Sequence, residues 1–396
     1  MAGNGKALKI CVLSTTYPRN ERDSYVPFIR GFAHALGQKY KVKVVAASGR
    51  GVASEDALVG IKVKRFQYFW PKAWQRLTYR GGMMESFRNS FFAKMQAPVF
   101  MLSFLIKGLK ETKDCDIIHA HWTLSGFVGV VCKKAWKKPL VVTVHGGDLL
   151  GLPKWFNRYV LMNADVVMTA HHDMAELARK LGRKDVLDVK NFLDWDKFSE
   201  KVDVRAVRQE LGFSGRDFVV TFIARFEPRK DPMTFVKAAR LLKDYKTIKF
   251  LMVGEGSFRH IVEKQAEGLS NLKLLGARHD VHRILKASDL FCAISPLENV
   301  FSTTIIEAKA LKVPCLLTNV GVTSRYFRDG LDAYLIPARS EKQLAQAVLR
   351  LANNPALLDR MSGNSESFLQ KNGFMKEEVL RRHEEVYKKL KSLSSW

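Results

Sequence analysis

Residues 290–319, LFCAISPLENVFSTTIIEAKALKVPCLLTN, restrict the fold more than any other stretch. The apolar run 290–294 follows Asp289 and reads as a buried strand. Ser302, Thr303 and Thr304 mark a helix start. Ile305, Ile306, Glu307, Ala308 and Ala310 continue that helix, which ends before Pro314. Residues 315–317 begin the next strand. A strand–loop–helix–strand unit of this kind belongs to a parallel sheet with helices packed on it. The helix start offers unpaired backbone N–H groups and the positive end of the helix dipole, a natural seat for a phosphate. Glu307, one turn in, is placed to accept hydrogen bonds from ribose hydroxyls. An ordinary solvated glutamate near a helix start has the same local pattern.

The chain opens in the same way. Residues 9–14 form a short apolar strand, a polar loop follows over 15–24, and a helix is predicted over 26–36. Residues 42–46 read as the second strand. This βαβ beginning again predicts a parallel sheet, whose ligands bind outside the C-terminal edge. The loop lacks the GxGxxG of a dinucleotide site, which disfavours a Rossmann oxidoreductase. It is free of glycine and carries Arg19, Arg22 and Asp23. A chain of 396 residues is too long for one core and suits two domains of this kind.

Histidines stand at the ends of two further strands. Residues 116–122, DIIHAHW, place His119 and His121 on one face beside Trp122, and Gly126 and Gly129 are expected to open the next helix, over 127–135. Residues 139–148, PLVVTVHGGD, run a full strand into a turn. His145 there is followed by two glycines that let backbone approach a ligand closely, and an imidazole can donate to an oxyanion or a sugar hydroxyl near neutral pH. His119, His121, His145 and Asp148 could be drawn as a zinc site, but their spacing matches no common zinc pattern. The five cysteines have no CxxC spacing and read as buried thiols of a reducing compartment. The short polar opening leads us to expect no signal peptide, and with no run of 18 uninterrupted apolar residues no transmembrane helix is expected.

In the second half, residues 218–224 form a strand that leads into RFEPRKDP and then a helix over 233–242. Arg225 and Lys230 thus stand at a strand–helix loop, where two cations suit a diphosphate. A basic surface turn, with Arg229 beside it, is the plainer alternative. Residues 249–253 form another strand, followed by Gly254-Glu255-Gly256. Amphipathic helices are expected over 340–352, 355–369 and 377–393.

Charge is distributed unevenly. The net charge is +26, and residues 1–150 carry 24 basic and 9 acidic side chains. Residues 61–110 hold 10 basic residues, the single acid Glu85, and 11 aromatic residues. Rings interleaved with cations suit an anionic membrane surface or a lipid-linked substrate. The same ingredients can stack on bases in a nucleic-acid groove, or belong to a core helix with a basic side in water.

These segments together resemble the retaining glycosyltransferases of family 4, which have the two-domain GT-B fold. The family signature is a Glu, seven residues, then a Glu followed by Ala. The second Glu falls on Glu307; the first falls on Asn299, with Glu298 one residue early. The resemblance assigns Arg225 and Lys230 to a clamp on the donor diphosphate, with Asp231 in place of the family's glycine. It matches Gly254 and Gly256 to a GxG turn, and assigns donor binding to Glu298 or Asn299, to Ser302, Thr303 and Thr304, and to Glu307. His119 and His121 match an HAH strand end. His145 and Asp148 match an HG.D loop whose histidine lies beside the donor sugar. Arg19 falls in the loop that faces donor and acceptor, and His171 or His172 in a place where the family often has serine. Asn191, Asp194 and Phe198 match the family's PNGVD...F segment, and Val322 and Arg325 stand where a Gly and a Glu are usual.

The resemblance implies an α/β fold of two facing Rossmann-like doubly wound domains. Residues 1–198 form the acceptor side, 199–372 the nucleotide-sugar domain, and 373–396 a helix crossing back to the first, with the ligands in a cleft. It implies transfer of a sugar from a nucleoside-diphosphate sugar to a hydroxyl with retention, by a front-face route in which the leaving diphosphate helps deprotonate the acceptor. It implies no cofactor and no metal; the acceptor stays open among a lipid-linked glycan, a lipid, a polysaccharide and a small metabolite. The expected location is cytoplasmic, at the inner face of the membrane if residues 61–110 bind it. An epimerase or phosphorylase on the same scaffold and a basic nucleic-acid-binding protein are the alternatives; no motif for a pyridoxal-phosphate lysine is present.

Overall fold

The computed structural model of the chain describes residues 7–393 other than 22, 24, 25, 50, 51, 53, 80–82, 171, 194, 298–301 and 322. The chain divides into two compact units, Met1–Asp194 with Met375–Trp396, and Trp195–Phe374.

The first unit is built on eight strands: β1 (Lys9–Ser14), β2 (Lys41–Ala47), β3 (Glu55–Leu58), β4 (Ile61–Phe66), β5 (Ile117–His121), β6 (Leu140–Val144), β7 (Val166–Thr169) and β8 (Val186–Asp188). Their order is β3-β4-β2-β1-β5-β6-β7-β8. All neighbours are parallel except the edge pair β3 and β4. The strand order turns back at β1, which has β2 on one side and β5 on the other, so the loops leaving β1 and β5 diverge there. β5 and β6 are buried along their whole length, as expected for central strands covered on both faces.

Helix Thr123–Trp136 begins four residues before its expected start, so Gly126 and Gly129 lie inside it rather than opening it. A Cβ at Gly126 would come within 2.6 Å of Val160, and one at Gly129 within 2.6 Å of Leu140. The two glycines therefore let the helix sit close to its neighbours. Helix Phe91–Thr112 packs Phe100 and Phe104 inward: Phe104 stacks on Phe66 at 4.6 Å and Phe100 meets Tyr68 edge-on at 5.0 Å. By length and composition alone this helix could cross a membrane: it has 22 residues, and an 18-residue window of it has a mean hydropathy of 1.2. Scanning for uninterrupted runs misses it because Lys94, Lys107 and Lys110 punctuate it.

The last helix, Lys376–Leu393, belongs to the first unit. Its Tyr387 hydroxyl lies 2.6 Å from His119 Nδ1, its Arg382 donates to the Asp188 carbonyl at 2.7 Å, and its Glu384 accepts from Lys39 at 2.5 Å.

The second unit holds six parallel strands: β9 (Phe218–Ile223), β10 (Ile248–Val253), β11 (Leu272–Leu274), β12 (Leu290–Ala293), β13 (Cys315–Thr318) and β14 (Tyr334–Ile336). Their order is β11-β10-β9-β12-β13-β14, all parallel. Here the order turns back between β9 and β12. A core of Phe222, Phe235, Phe250 and Leu344 fills one face of this sheet. The segment expected as one helix over 355–369 is two, Pro355–Gly363 and Ser365–Lys371, parted at Asn364. The Asn364 side-chain amide donates to the buried Asp332 carboxylate.

Candidate active site

In the second unit, the loops leaving β9 and β12 flank the switch point. The β9 loop carries Arg225 and Lys230. The Arg225 guanidinium pairs with Glu227 and is partly exposed, and Glu227 also accepts from Arg229 Nε at 2.9 Å. Lys230 closes a short 3-10 turn, Pro228–Lys230, in which its N–H donates to the Glu227 carbonyl at 2.9 Å. Asp231 follows at φ 52°. Left-handed backbone of this kind is the reason a glycine suits the position. Asp is among the few side chains that also tolerate it, and here it caps helix Pro232–Leu241, accepting from the Thr234 N–H at 3.3 Å and the Thr234 hydroxyl at 2.8 Å.

Two supports fix this loop. From the β10 side, Gly254 and Gly256 press against it. A Cβ at Gly254 would sit 1.9 Å from the Ala224 carbonyl oxygen, and one at Gly256 would sit 2.4 Å from that of Phe226. Phe226 N–H donates to the Glu255 carbonyl at 2.9 Å. The GxG turn therefore backs the cation loop directly. From the other side, the Ser295 hydroxyl at the end of β12 donates to the Arg229 carbonyl at 2.7 Å, and the Thr318 hydroxyl at the end of β13 donates to the Ser295 carbonyl at 2.5 Å. The chain of contacts links the ends of three strands.

Helix Thr303–Ala310 starts at Ser302, which makes no side-chain capping bond. The Ile305 N–H turns back to the Ser302 carbonyl at 3.0 Å, and the N–H groups of Thr303 and Thr304 have no intrahelical acceptor by the geometry of any helix. Glu307 is half-buried one turn in. Lys309, two residues on, is wholly buried. Its ammonium donates to the Met361 carbonyl at 3.4 Å and lies 5.6 Å from the Phe368 ring, and burial pushes its pKa down. Glu298 and Asn299 lie outside the described residues, as do Val322 and Asp194.

In the first unit, His119, His121 and His145 form a stack. Ring centroids are 4.8 Å apart for His119 and His121 and 5.3 Å for His121 and His145, with planes 11° and 17° apart. His119 is held at both nitrogens, by Tyr387 at 2.6 Å and by the Thr143 hydroxyl at 2.7 Å. His121 Nδ1 lies 3.0 Å from His145 Nε2. Burial strips water from an imidazolium, so the pKa values of His119 and His121 fall well below 6.5, helped by their imidazole neighbours. His119 and His121 form a neutral support behind His145. Asp148 is buried, and its carboxylate accepts from the backbone N–H groups of Thr123 at 2.9 Å, Gly146 at 3.0 Å and His145 at 3.3 Å. Asp148 thus ties the His145 loop to the start of the neighbouring helix. Burial raises its pKa, while backbone N–H donors, that of Thr123 foremost, oppose the rise.

Arg19 leaves β1, pairs with Asp23 at 2.7 Å and lies over the Tyr79 ring at 5.2 Å. Its loop is held from below by Arg65, a buried cation that sequence reasoning missed. Arg65 donates to the Pro18 carbonyl at 2.6 Å and the Tyr17 carbonyl at 3.2 Å, and pairs with Asp56 at 3.1 Å. His171 and Arg22 lie outside the described residues. Ser295, Thr318 and Arg65 left no type-specific mark in the sequence.

A family profile described as "Glycosyl transferases group 1" matches residues 203–368, and one described as "Glycosyl transferase 4-like domain" matches residues 25–189. A UDP-Gal:alpha-D-GlcNAc-diphosphoundecaprenol alpha-1,3-galactosyltransferase of Escherichia coli is 28% identical over 290 residues, 68% of this chain and 74% of that protein. An N-acetyl-alpha-D-glucosaminyl L-malate synthase of Bacillus anthracis is 25% identical over 311 residues, 75% of this chain and 81% of that protein. In fold the chain is similar to Anabaena HepE in complex with UDP-glucose, with a TM-score of 0.72 at 17% identity, over 98% of this chain and 100% of that one. The chain belongs to the group 1 glycosyltransferases of family 4, with the GT-B fold, and it is a nucleotide-sugar glycosyltransferase.

The buried imidazoles carry a pH signature. Burial lowers the pKa of His383 to about 4, against 6.5 for a free imidazole, and His119 and His121 move the same way. Once unfolded, these groups take up protons below 6.5 that the folded chain refuses. Their stabilising effect is therefore complete above the unfolded pKa and is lost as pH falls from 6.5 toward 4. The urea midpoint should decline across that window, and His383→Gln should make the decline shallower. An equally steep decline in the variant would count against a neutral buried His383.

Proposed function

We propose that the chain transfers a hexosyl or related sugar from a nucleoside-diphosphate sugar to an acceptor hydroxyl with retention of anomeric configuration. The observation that carries this is the placement of Arg225 and Lys230 on one short loop at the second unit's switch point, with the start of helix Thr303–Ala310 on the loop after the neighbouring strand. Departure of a nucleoside diphosphate builds negative charge on its outer phosphate. Two cations and a helix start meet that charge without reorganising, which is how electrostatic catalysis works best.

Each further residue has a role that follows from its chemistry. Glu307 accepts from the ribose hydroxyls. Gly254 and Gly256 act through the loop they support, and Ser302, Thr303 and Thr304 offer their N–H groups to phosphate. In the first unit we assign His145 to the sugar side; His121 meets its Nε2 and Asp148 ties its backbone. Arg19 serves the acceptor side. His119 and His121 act by holding His145 and touch no substrate. The leaving diphosphate takes the acceptor proton on the same face from which it departs, so no protein nucleophile is needed. With two cations on the diphosphate, no metal is needed for charge.

The named Escherichia coli relative uses an acceptor carried on diphosphoundecaprenol, and we carry a lipid-linked acceptor over to this chain. Five buried, unbridged cysteines support a reducing compartment, and with it a cytoplasmic location.

Lys230→Ala should lower kcat by about a hundredfold or more, the usual cost of one preorganised charge-stabilising group, with the unfolding midpoint unchanged. Full activity in that variant would remove the diphosphate clamp. The stereochemistry has its own test. Proton NMR of the first product formed from an α-linked donor should show an α linkage, and a β product would overturn retention while leaving transfer intact.

A further inference from the structure

We propose that the outer side of helices Phe91–Thr112 and Lys154–Asn163 seats the first unit on an anionic lipid bilayer. The inference rests on this surface alone and is independent of which sugar or acceptor the enzyme uses.

Helix Phe91–Thr112 is apolar on both sides. Its inner side, Ala93, Phe100, Phe104 and Gly108, is buried. Its outer side carries Phe91, Met95, Val99, Leu102 and Ile106, spaced by four, four, three and four residues, and all are exposed, Phe91 at 78%. A helix apolar all round is normally covered all round; here the described residues leave its outer side exposed. Helix Lys154–Asn163 adds a second stripe of Trp155, Tyr159 and Met162, with Trp155 at 72% exposure. Helix Thr123–Trp136 lies between and joins them: its Trp136 indole donates to the Leu109 carbonyl at 3.0 Å, and its Phe127 ring is 5.5 Å from Phe156.

Two more tryptophans border the first stripe. Trp70 is 82% exposed, and Trp74 is also exposed. Gln96 fixes their segment to the helix, donating to the Trp74 carbonyl at 2.7 Å and accepting from the Arg76 N–H at 2.9 Å. Held tryptophans beside an aliphatic stripe have the chemistry of the headgroup boundary, with an apolar body and a polar edge.

Charge selects the occupant. The three helices carry seven basic residues and one acid, Glu111. That acid is buried and lies beside Lys43 and Lys107. An anionic bilayer satisfies both features at once: chains take the aliphatic stripe, and headgroups meet the cations. Single-stranded nucleic acid would call for rings on which bases stack, whereas Met95, Val99, Leu102 and Ile106 are aliphatic. A two-fold contact between copies would set this positive face against itself. The helix lies on the bilayer and does not cross it, because its inner side is packed on the sheet through Phe66 and Phe104.

The test is flotation of the full chain, without nucleotide, on phosphatidylcholine vesicles with and without phosphatidylglycerol. The chain should float with the anionic vesicles, weakly or not at all with the neutral ones, and less as salt rises. Met95→Asp/Ile106→Asp should cut the bound fraction about tenfold or more, with unchanged thermal midpoint and unchanged nucleotide binding. Lys110→Glu/Lys154→Glu, which leaves the apolar stripe intact, should weaken binding to the anionic vesicles alone. A wild type that stays unbound, or an aspartate variant that floats as well as wild type, overturns the proposal. So does a wild-type dimer in light scattering that Met95→Asp/Ile106→Asp dissolves, which would make a second copy the occupant. Loss of vesicle binding with intact nucleotide binding separates this surface from the active site.

Discussion

The hydrogen bond from the Ser295 hydroxyl to the Arg229 carbonyl, 2.7 Å across the switch point of the second sheet, is the contact on which the site depends. It joins the end of β12 to the loop after β9, and Thr318 extends the tie to β13. On the opposite side the loop has no room to move, because the backbone at Gly254 and Gly256 is closer than any side chain would allow. A loop held from two sides keeps the backbone that carries its cations in place. Fixed charge is worth more in catalysis than mobile charge, because no free energy goes into arranging it during the reaction. The left-handed Asp231 then lets the chain turn at once into the following helix, so Arg225 and Lys230 stay within six residues of each other on one short connection.

The first unit applies the same logic to a neutral group. His145 sits on a glycine turn that would be loose without help. Asp148 takes up three backbone N–H groups around it, and His121 reaches one of its ring nitrogens. Behind His121 stand His119 and then Tyr387 from the final helix. The C-terminal segment, remote in sequence, thereby completes the packing behind this loop. Buried imidazoles are costly to protonate, so the support remains neutral around pH 7 and adds no charge beneath the reacting groups.

Much of this was legible in the sequence, for a physical reason. Central strands of a parallel sheet must be apolar on both faces, so 9–14, 218–223 and 290–293 stand out as short runs with nothing else to be. Left-handed or crowded backbone demands glycine, so Gly254 and Gly256 were visible, although what crowds them was not. The ties were invisible. A serine hydroxyl on a backbone carbonyl 66 residues away leaves no trace in residue type, and neither does Arg65 reaching the carbonyls of Tyr17 and Pro18. Asp148 was visible as part of a motif, but only the structure gives its partners. Gly126 and Gly129 misled the helix start, because a glycine that permits close packing looks like one that breaks a helix. Helix Phe91–Thr112 was seen as basic and aromatic; that its aliphatic residues fall on an uncovered side needed the packing of the other side.

Calorimetric titration of nucleoside diphosphates and monophosphates, with UDP and UMP first and then the other bases, tests the central claim most directly. The account predicts that wild type binds the diphosphate more tightly than the monophosphate of the same base, and that Lys230→Ala removes most of this difference while leaving monophosphate affinity nearly unchanged. An undiminished preference for the diphosphate in the variant would contradict it.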